Sequence, residues 1–334
     1  MTNDVSRPFV RPFTKAQVRD SFNKSAQGYD DVAVLQQEVC KRLLERLDYI
    51  KISPDVILDL GAGTGQGSLG LAQQFPDASI VAMDMAEQML CTSRDKLQPK
   101  AGLGKKVSGF FKGKLKGKFN SKPDSQKYHF VCADAEQLPF ADASVDLIFS
   151  SLTIQWCHDL DTLFKEFRRV LKPGGLLMFT TLGNETLHEL RSSWAAVSQK
   201  IHVNDFSDMH HLGDALYNAQ VENPVMDSEV IILNYPTVKQ ILLELKAIGA
   251  TNHNQGRETA LMGKSRLQAM YQAYEQFHTD AGYPVTYEIL YGHAWNPARP
   301  MQSTQTYDGE QQTAISLSQL KSTLSHSNKP SANN

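Results

Sequence analysis

The sequence predicts an α/β protein built on a doubly wound, parallel sheet. Between residues 56 and 182, short apolar segments alternate with segments of helical periodicity. Short, strongly apolar strands are typical of parallel sheets that are covered on both faces. Strand-helix alternation places the covering helices between successive strands, so the two observations together favour one layered fold.

The individual elements follow in order along the chain. The first is an amphipathic helix over residues 15–50, in which Val32, Leu35, Val39 and Leu43 recur at helical spacing. Helices are also predicted after the first, second and fourth strands, and the last of these stops at the Lys172-Pro173-Gly174-Gly175 segment. Strands are predicted at 56–60, 79–84, 128–134, 145–151, 175–182, 228–235 and 285–292.

The pattern favours one domain over residues 1–300, with N-terminal helices and further helices appended within about 184–280. Residues 99–127 interrupt the alternation with a Lys- and Gly-rich insertion, in which Asp124 is the only acid, and we expect a solvated surface loop there. Residues 301–334 are rich in Ser, Gln, Thr and Asn, and this composition predicts a disordered tail.

Composition and charge indicate an ordinary soluble protein of the cytoplasm. The chain is 41% hydrophobic with a formal net charge of -2, so no overall charge attracts it to nucleic acid or to a membrane. No apolar run approaches the roughly 18 residues of a membrane span, and the first 15 residues lack the apolar segment of a secretory signal. The four cysteines are widely spaced, which predicts reduced thiols and no metal framework.

A glycine-rich loop, ILDLGAGTGQG at residues 57–67, follows the first strand. No Lys-Ser or Lys-Thr pair follows these glycines, so the loop is not a Walker A phosphate site. A dinucleotide fingerprint requires Gly or Ala at the sixth position, where the two possible registers have Gln66 and Ser68. The spacing of Gly61, Gly63 and Gly65 instead suits a tight turn under the amino-acid part of a nucleoside that lacks a pyrophosphate.

Acidic residues end three of the predicted strands, beginning with Asp59 in the first. Asp84 ends the second strand, where a carboxylate can accept both hydroxyls of a ribose. Asp134 ends the third strand, where it can meet an adenine edge. Each Asp alone could simply cap the helix that follows it. Three together at the edge where open α/β sheets bind ligands favour a nucleoside site.

Four segments resemble those of class I S-adenosylmethionine-dependent methyltransferases. They are LDLGAGTG (58–65), VAMD (81–84), CADAEQLPF (132–140) and RRVLKPGGLLMFTT (168–181). The resemblance implies a Rossmann-like doubly wound sheet that is mostly parallel with one antiparallel strand. It also implies S-adenosyl-L-methionine as the cofactor. The cofactor-binding residues that it implies are Asp59, Gly61, Ala62, Gly63, Gly65, Asp84, Met85, Asp134, Ala135 and Ser151.

A narrower resemblance extends over most of the chain, to the malonyl-[acyl-carrier protein] O-methyltransferases of the biotin pathway. Its segments are 22–39, 150–160, 180–194, 202–212 and 245–257. It implies methyl transfer to the free carboxylate of a malonyl thioester on acyl carrier protein, with malonyl-CoA as a possible alternative carrier. The Lys-rich insertion and the tail depart from the family pattern, and the lysines of the insertion could steer an acidic carrier protein toward the site.

The implied reaction sets modest chemical demands. A carboxylate is already ionised at neutral pH, so the enzyme needs no general base and acts by positioning its substrates and excluding water. A cationic side chain is still expected near that carboxylate, and the candidates are Arg257 and Arg191, with His188 third. Tyr29 is expected to close over the site. Gln155 and Trp156, which follow the fourth strand, are expected at the substrate edge.

Other functions remain open at this point. The acceptor could be another small acid or a quinone precursor. The chain could instead be a non-catalytic nucleic-acid-binding or assembly protein, although the insertion offers only Phe110, Phe111 and Phe119 for stacking on bases. A protein-arginine hydroxylase of the same fold would need iron, and no 2-His-1-carboxylate spacing is present. His210 and His211 lack a third ligand at useful spacing, so we expect no metal.

Overall fold

The computed structural model describes residues 14–98, 127–250, 263–298, 305–307 and 310–312. The chain divides into two compact units, Met1–Asn296 and Pro297–Asn334. Apart from Lys127, the predicted insertion lies outside the described residues, and the predicted disorder of the tail stays a prediction. Within the described part of the chain, no helix is both long and apolar enough to cross a membrane.

The strands and helices are as follows. The strands of the first unit are β1 Val56–Leu60, β2 Ser79–Asp84, β3 Tyr128–Cys132, β4 Val145–Ser150, β5 Leu171–Leu182, β6 Glu222–Tyr235 and β7 Tyr283–Trp295. The helices are α1 Lys15–Ser25, α2 Tyr29–Val32, α3 Val34–Leu47, α4 Gln66–Gln74, α5 Glu87–Leu97, α6 Leu160–Val170, α7 His188–Ala195, α8 Met209–Asn218, α9 Val238–Ala247 and α10 Lys264–Tyr274. The described residues of the second unit form an antiparallel pair, β8 Gln305–Tyr307 and β9 Glu310–Gln312.

The seven strands of the first unit form one sheet in the order β3-β2-β1-β4-β5-β7-β6. Strands β1 to β5 pair in parallel, and β7 runs antiparallel to both of its neighbours, β5 and β6. The predicted sheet, mostly parallel with one antiparallel strand, is therefore confirmed. Because β7 runs in the opposite direction, its first residues lie at the edge of the sheet where the parallel strands end.

Burial on both faces explains why the central strands are continuously apolar. In β1, Ile57 and Leu58 point to opposite faces, and both are fully buried. Ile57 joins a core that includes Leu43 of α3, whereas Leu58 joins a core that includes Phe164 of α6. Each face of the sheet is thus sealed by helices from a different part of the chain, as the apolar pattern predicts.

Several predicted boundaries were wrong, and the sixth strand, for example, begins at Glu222 instead of residue 228. The single helix expected at 15–50 is three helices, since the chain turns after α1 and the Gly28 N–H donates to the Ser25 carbonyl at 3.2 Å. The fifth strand begins at Leu171 instead of residue 175, because Leu171 already pairs with Val145 of β4, before an irregularity in the pairing of the two strands. Gly174 lies in this irregular segment with φ of 77°, a conformation that glycine adopts without strain.

We expect Gly292→Ala to destabilise the fold. Gly292 of β7 pairs with Phe179 of β5, and a Cβ at this position would overlap the fully buried Phe179 ring. Overpacking of this kind costs about 1–3 kcal/mol in the free energy of unfolding. Urea denaturation of the wild type and the variant measures the difference.

Gly213→Ala is the matched control for this substitution. Gly213 lies inside α8, and a Cβ there would meet no atom within 4 Å. Alanine should therefore leave stability unchanged or raise it by about 0.5–1 kcal/mol. Equal unfolding curves for the Gly292 variant and the wild type would contradict the packing argument.

Candidate active site

A cavity opens at the edge of the sheet where β1 to β4 end, which is where open α/β sheets bind ligands. It brings together most of the residues that the sequence predicts for the site. The predicted residues that line it are Tyr29, Asp59, Gly61, Ala62, Gly63, Asp84, Met85, Asp134, Ala135, Ser151, Gln155 and Trp156.

The loop after β1 turns tightly against the end of β2. The N–H groups of Gly61 and Ala62 both donate to the Met83 carbonyl, at 2.7 and 2.9 Å. Gly61 has φ of 71°, and a Cβ at this position would overlap the side chain of Thr153. The loop can approach both β2 and Thr153 only because this residue is glycine.

Gly65 has a different position from the other two glycines of the loop. It does not line the cavity, and with φ of 90° it immediately precedes α4. A Cβ at this position would overlap the Ser93 hydroxyl of α5. The third glycine of the spacing therefore lets two helices pack closely.

Asp59 is almost fully buried, with 2% of the residue exposed. Its carboxylate accepts a hydrogen bond from the Ser68 hydroxyl of α4 at 2.6 Å. Burial raises the pKa of Asp59 to about 7, and the nearby charge of Asp84 adds to this rise, while hydrogen bonds from Ser68 oppose it. The carboxyl group is thus poised to change its charge near neutral pH.

Asp84 ends β2 and accepts hydrogen bonds from two backbone amides. The Gly63 N–H donates to one carboxylate oxygen at 2.9 Å, and the Ala86 N–H donates to the other at 2.8 Å. Desolvation raises the pKa of Asp84, and these two bonds oppose that effect. A carboxylate oxygen accepts more than one hydrogen bond, so both oxygens retain capacity for a ligand in the cavity.

Lys15, at the start of α1, is an unpredicted member of the site. Its Nζ lies 2.6 Å from both carboxylate oxygens of Asp134, and it also pairs with Glu136. The Glu136 N–H donates to Asp134 at 3.0 Å, which fixes this carboxylate from a second side. A lysine in an amphipathic helix gives no local signal of such a contact, so sequence reasoning missed it.

A second polar contact ties the N-terminal segment to the glycine loop. The Thr64 hydroxyl donates to the Asp30 carboxylate at 2.5 Å, and Lys96 of α5 pairs with the same carboxylate. Residues 14–33 are therefore attached to the cavity wall both here and at Lys15.

Aromatic rings close the cavity beneath this segment. Phe22 of α1 meets the Trp156 ring edge-on with centroids 5.4 Å apart, and it lies 6.5 Å from the Tyr29 ring. Desolvation raises the pKa of Tyr29, with further contributions from the charges of Asp84 and Asp30. Tyr29 thus remains a neutral hydroxyl in a wall that also carries the predicted Trp156.

The remainder of the cavity is largely apolar and extends toward α7, α9 and β7. We call this part the acceptor half. Gln155 lies at its boundary, where its amide nitrogen donates to the Leu152 carbonyl at 2.7 Å. Its other lining residues include Leu35, Cys40, Leu182, Leu187, Leu190, His202, Val203, Asn204, Phe206, Leu245, Ile248, Ala250 and Tyr287. These residues come from separate parts of the chain. Most of them lie in segments 22–39, 180–194, 202–212 and 245–257, which carry the family resemblance, but the sequence analysis did not name them as site residues.

The predicted cations do not line this cavity within the described residues. The Arg191 guanidinium donates to the carbonyls of Asn184 and Thr186, both at 3.0 Å. His188 stands edge-on to the Phe277 ring, 6.1 Å between centroids. Arg257 lies outside the described residues. The role of each as the partner of a substrate carboxylate stays a prediction.

The fold and the strand-end carboxylates define a class I methyltransferase, and comparison with known proteins agrees with this class. Residues 58–179 match the family described as "Methyltransferase domain". Among solved structures, the YcgJ protein of Bacillus subtilis covers 78% of this chain and 98% of its own, with a TM-score of 0.51. At 14% sequence identity this likeness concerns the fold alone.

Curated relatives define the family more narrowly. The malonyl-[acyl-carrier protein] O-methyltransferase of Gallionella capsiferriformans is 45% identical over 284 residues, which is 85% of this chain and 91% of that protein. The protein of the same name from Laribacter hongkongensis is also 45% identical, over 85% of this chain and 90% of its own. The chain therefore belongs to the malonyl-[acyl-carrier protein] O-methyltransferase family.

We expect Asp59→Asn to stabilise the fold more at about pH 8 than at about pH 5. The folded-state pKa of Asp59, about 7, lies above its ordinary value of 3.8. The stability that the protonated Asp59 carboxyl contributes is therefore fully present below pH 3.8, and it is lost as the pH rises through 7. Relative to the variant, the wild type should lose roughly 2–3 kcal/mol of unfolding free energy between these two pH values.

Urea denaturation of both proteins at the two pH values measures this difference. Asp159→Asn is the control, because desolvation of Asp159 is outweighed by hydrogen bonds from Thr162, which lower its pKa. Both the folded and the unfolded pKa of Asp159 then lie below this range, so the effect of that substitution should not vary across it. An Asp59 variant whose effect is equally constant would show that the buried carboxyl is not the titrating group.

Proposed function

We propose that this protein transfers the methyl group of S-adenosyl-L-methionine to the free carboxylate of malonyl-acyl carrier protein, early in biotin synthesis. The observation that best supports this proposal is a single cavity with two chemically different halves. One half presents Asp59, Asp84 and Asp134 at consecutive strand ends, and the other is enclosed by apolar side chains. Membership of the family supplies the acceptor, since the curated relatives are named for malonyl-acyl carrier protein.

The donor set of the first half fits the proposed cofactor. Asp84 retains lone pairs for two ribose hydroxyls, and Asp134 offers an acceptor for an adenine amino group. We propose that Asp59 and the turn at Gly61–Gly63 hold the amino-acid part. Met85, Ala135 and Ser151 line the same cavity and are proposed as further contacts to the cofactor. When bound, S-adenosylmethionine supplies an electrophilic methyl group on a positively charged sulfur.

The protein's own task is then to position the acceptor and keep water out. The malonyl carboxylate is ionised at neutral pH, so the cavity needs no general base. Tyr29 and Trp156 line the cavity, and Gln155, which also lines it, is held by contacts with the Leu152 carbonyl and the Thr181 hydroxyl. Rigid walls of this kind hold reacting groups in line and exclude competing water.

A cation for the acceptor carboxylate is proposed at Arg257. Ala250 lines the acceptor half, and Arg257 lies seven residues after it in the sequence. An extended chain of seven residues spans at most about 24 Å. Arg191 is a weaker candidate, because its guanidinium already serves two backbone carbonyls. We further propose that the acyl carrier protein is preferred over malonyl-CoA, and that neither nucleic acid nor a membrane takes part.

Incubation of the protein with S-adenosylmethionine and malonyl-acyl carrier protein should add one methyl group, about 14 Da, to the carrier protein. Intact-mass spectrometry measures the gain, and mild ester hydrolysis should reverse it. Malonyl-CoA and the unloaded carrier protein are run in parallel as controls. Confirmed cofactor binding without any gain in mass would remove the proposed acceptor and leave the fold assignment intact.

Lys15→Met should weaken S-adenosylmethionine binding about three- to tenfold, as measured by calorimetry. Without its ion pairs, Asp134 is free to reorient and α1 loses an attachment to the cavity, an effect of about 1 kcal/mol for a partly exposed pair. Lys172→Met is the matched control, since it removes the Lys172–Asp146 pair of 2.8 Å, whose residues do not line the cavity. Equal cofactor affinity in both variants would exclude this role for Lys15.

A further inference from the structure

Tyr287 of β7 reaches the cavity because of the direction of its strand. β7 is antiparallel to β5, so its first half lies at the edge where the parallel strands carry the site. Tyr287 pairs with Ile231 of β6, is 5% exposed, and lines the acceptor half. It thus offers a hydroxyl group within a predominantly apolar wall.

Two polar side chains, Tyr235 and Glu244, continue a hydrogen-bonded network from this hydroxyl. Tyr235 at the end of β6 donates to the Glu244 carboxylate of α9 at 2.7 Å, and the Tyr287 hydroxyl contacts that of Tyr235. Each phenol carries a single hydrogen, and Tyr235 gives its own to a charged acceptor. The hydrogen of Tyr287 is then shared between the neutral Tyr235 oxygen and whatever acceptor enters the cavity.

We infer that Tyr287 positions the malonyl carboxylate by donating a hydrogen bond to it, an inference that rests on the function proposed above. A carboxylate is a stronger acceptor than a phenol oxygen, so an entering malonyl group takes the hydrogen from Tyr235. The methyl ester product is neutral and accepts more weakly. The same hydroxyl therefore favours the substrate over the product.

A neutral donor suits this reaction better than a tightly paired cation alone. Among the described residues of the cavity, Lys15 is the only Lys or Arg, and it is bound to Asp134 and Glu136. A phenol orients a carboxylate oxygen while leaving it most of its negative charge. Burial, with the charge of Glu244, raises the pKa of Tyr287, so the group keeps its hydrogen at neutral pH.

Tyr287→Phe tests this inference, because it removes one oxygen and keeps the ring that packs in the core. We expect kcat/KM for malonyl-acyl carrier protein to fall at least tenfold while the Kd for S-adenosylmethionine stays within twofold. A second readout needs no turnover: without cofactor, the wild type should bind malonyl-carrier protein more tightly than its methyl ester. The variant should lose most of that preference.

Tyr291→Phe is the matched control from the same face of the same strand. The Tyr291 hydroxyl donates to Glu229 at 3.1 Å, and the residue does not line the cavity, so this variant should retain kcat/KM within twofold. If Tyr287→Phe retains both kcat/KM and the binding preference, the inference is overturned and the proposed function stands. If the wild type neither binds nor methylates malonyl-carrier protein, both are overturned.

Discussion

The site depends on how the chain leaves β1. Gly61 and Ala62 direct their N–H groups to the Met83 carbonyl, and Gly63 directs its own to Asp84, so one turn joins the ends of two parallel strands. Burial beneath α4 then places Asp59 beside this turn at 2% exposure. Because the three donors are backbone N–H groups, the turn itself is held by main-chain geometry, and Asp84 is its one side-chain acceptor.

The reversed strand β7 gives the cavity its second half. Five parallel strands deliver their carboxyl ends to one edge, and only an antiparallel strand can bring its beginning to that edge. Tyr287 therefore faces the same cavity as residues more than 200 positions earlier in the chain. Helices α7 and α9 cover this region and supply Leu190 and Leu245 to its apolar lining.

Charge pairing joins the N-terminal segment, residues 14–33, to the part of the cavity that carries the strand-end carboxylates. Lys15 holds Asp134, while Asp30 accepts from Thr64 and pairs with Lys96, so one short segment is attached to two parts of the site. Such partly exposed contacts are individually weak. Under the proposed function, cofactor affinity and the position of this segment are linked, since Asp134 would serve both.

Sequence alone determined the parallel strands and the strand-end carboxylates, because these depend on local apolar patterns and on residues next to each strand. The one reversed strand was implied only by the resemblance to known methyltransferases. The sequence did not determine that residues 15–50 break into three helices, because the helical spacing of Val32 and Leu35 continues across the break at Ala33. The sequence also did not identify Lys15 and Tyr287 as residues of the cavity. Their partners lie far away in the chain, and only tertiary packing brings these groups together.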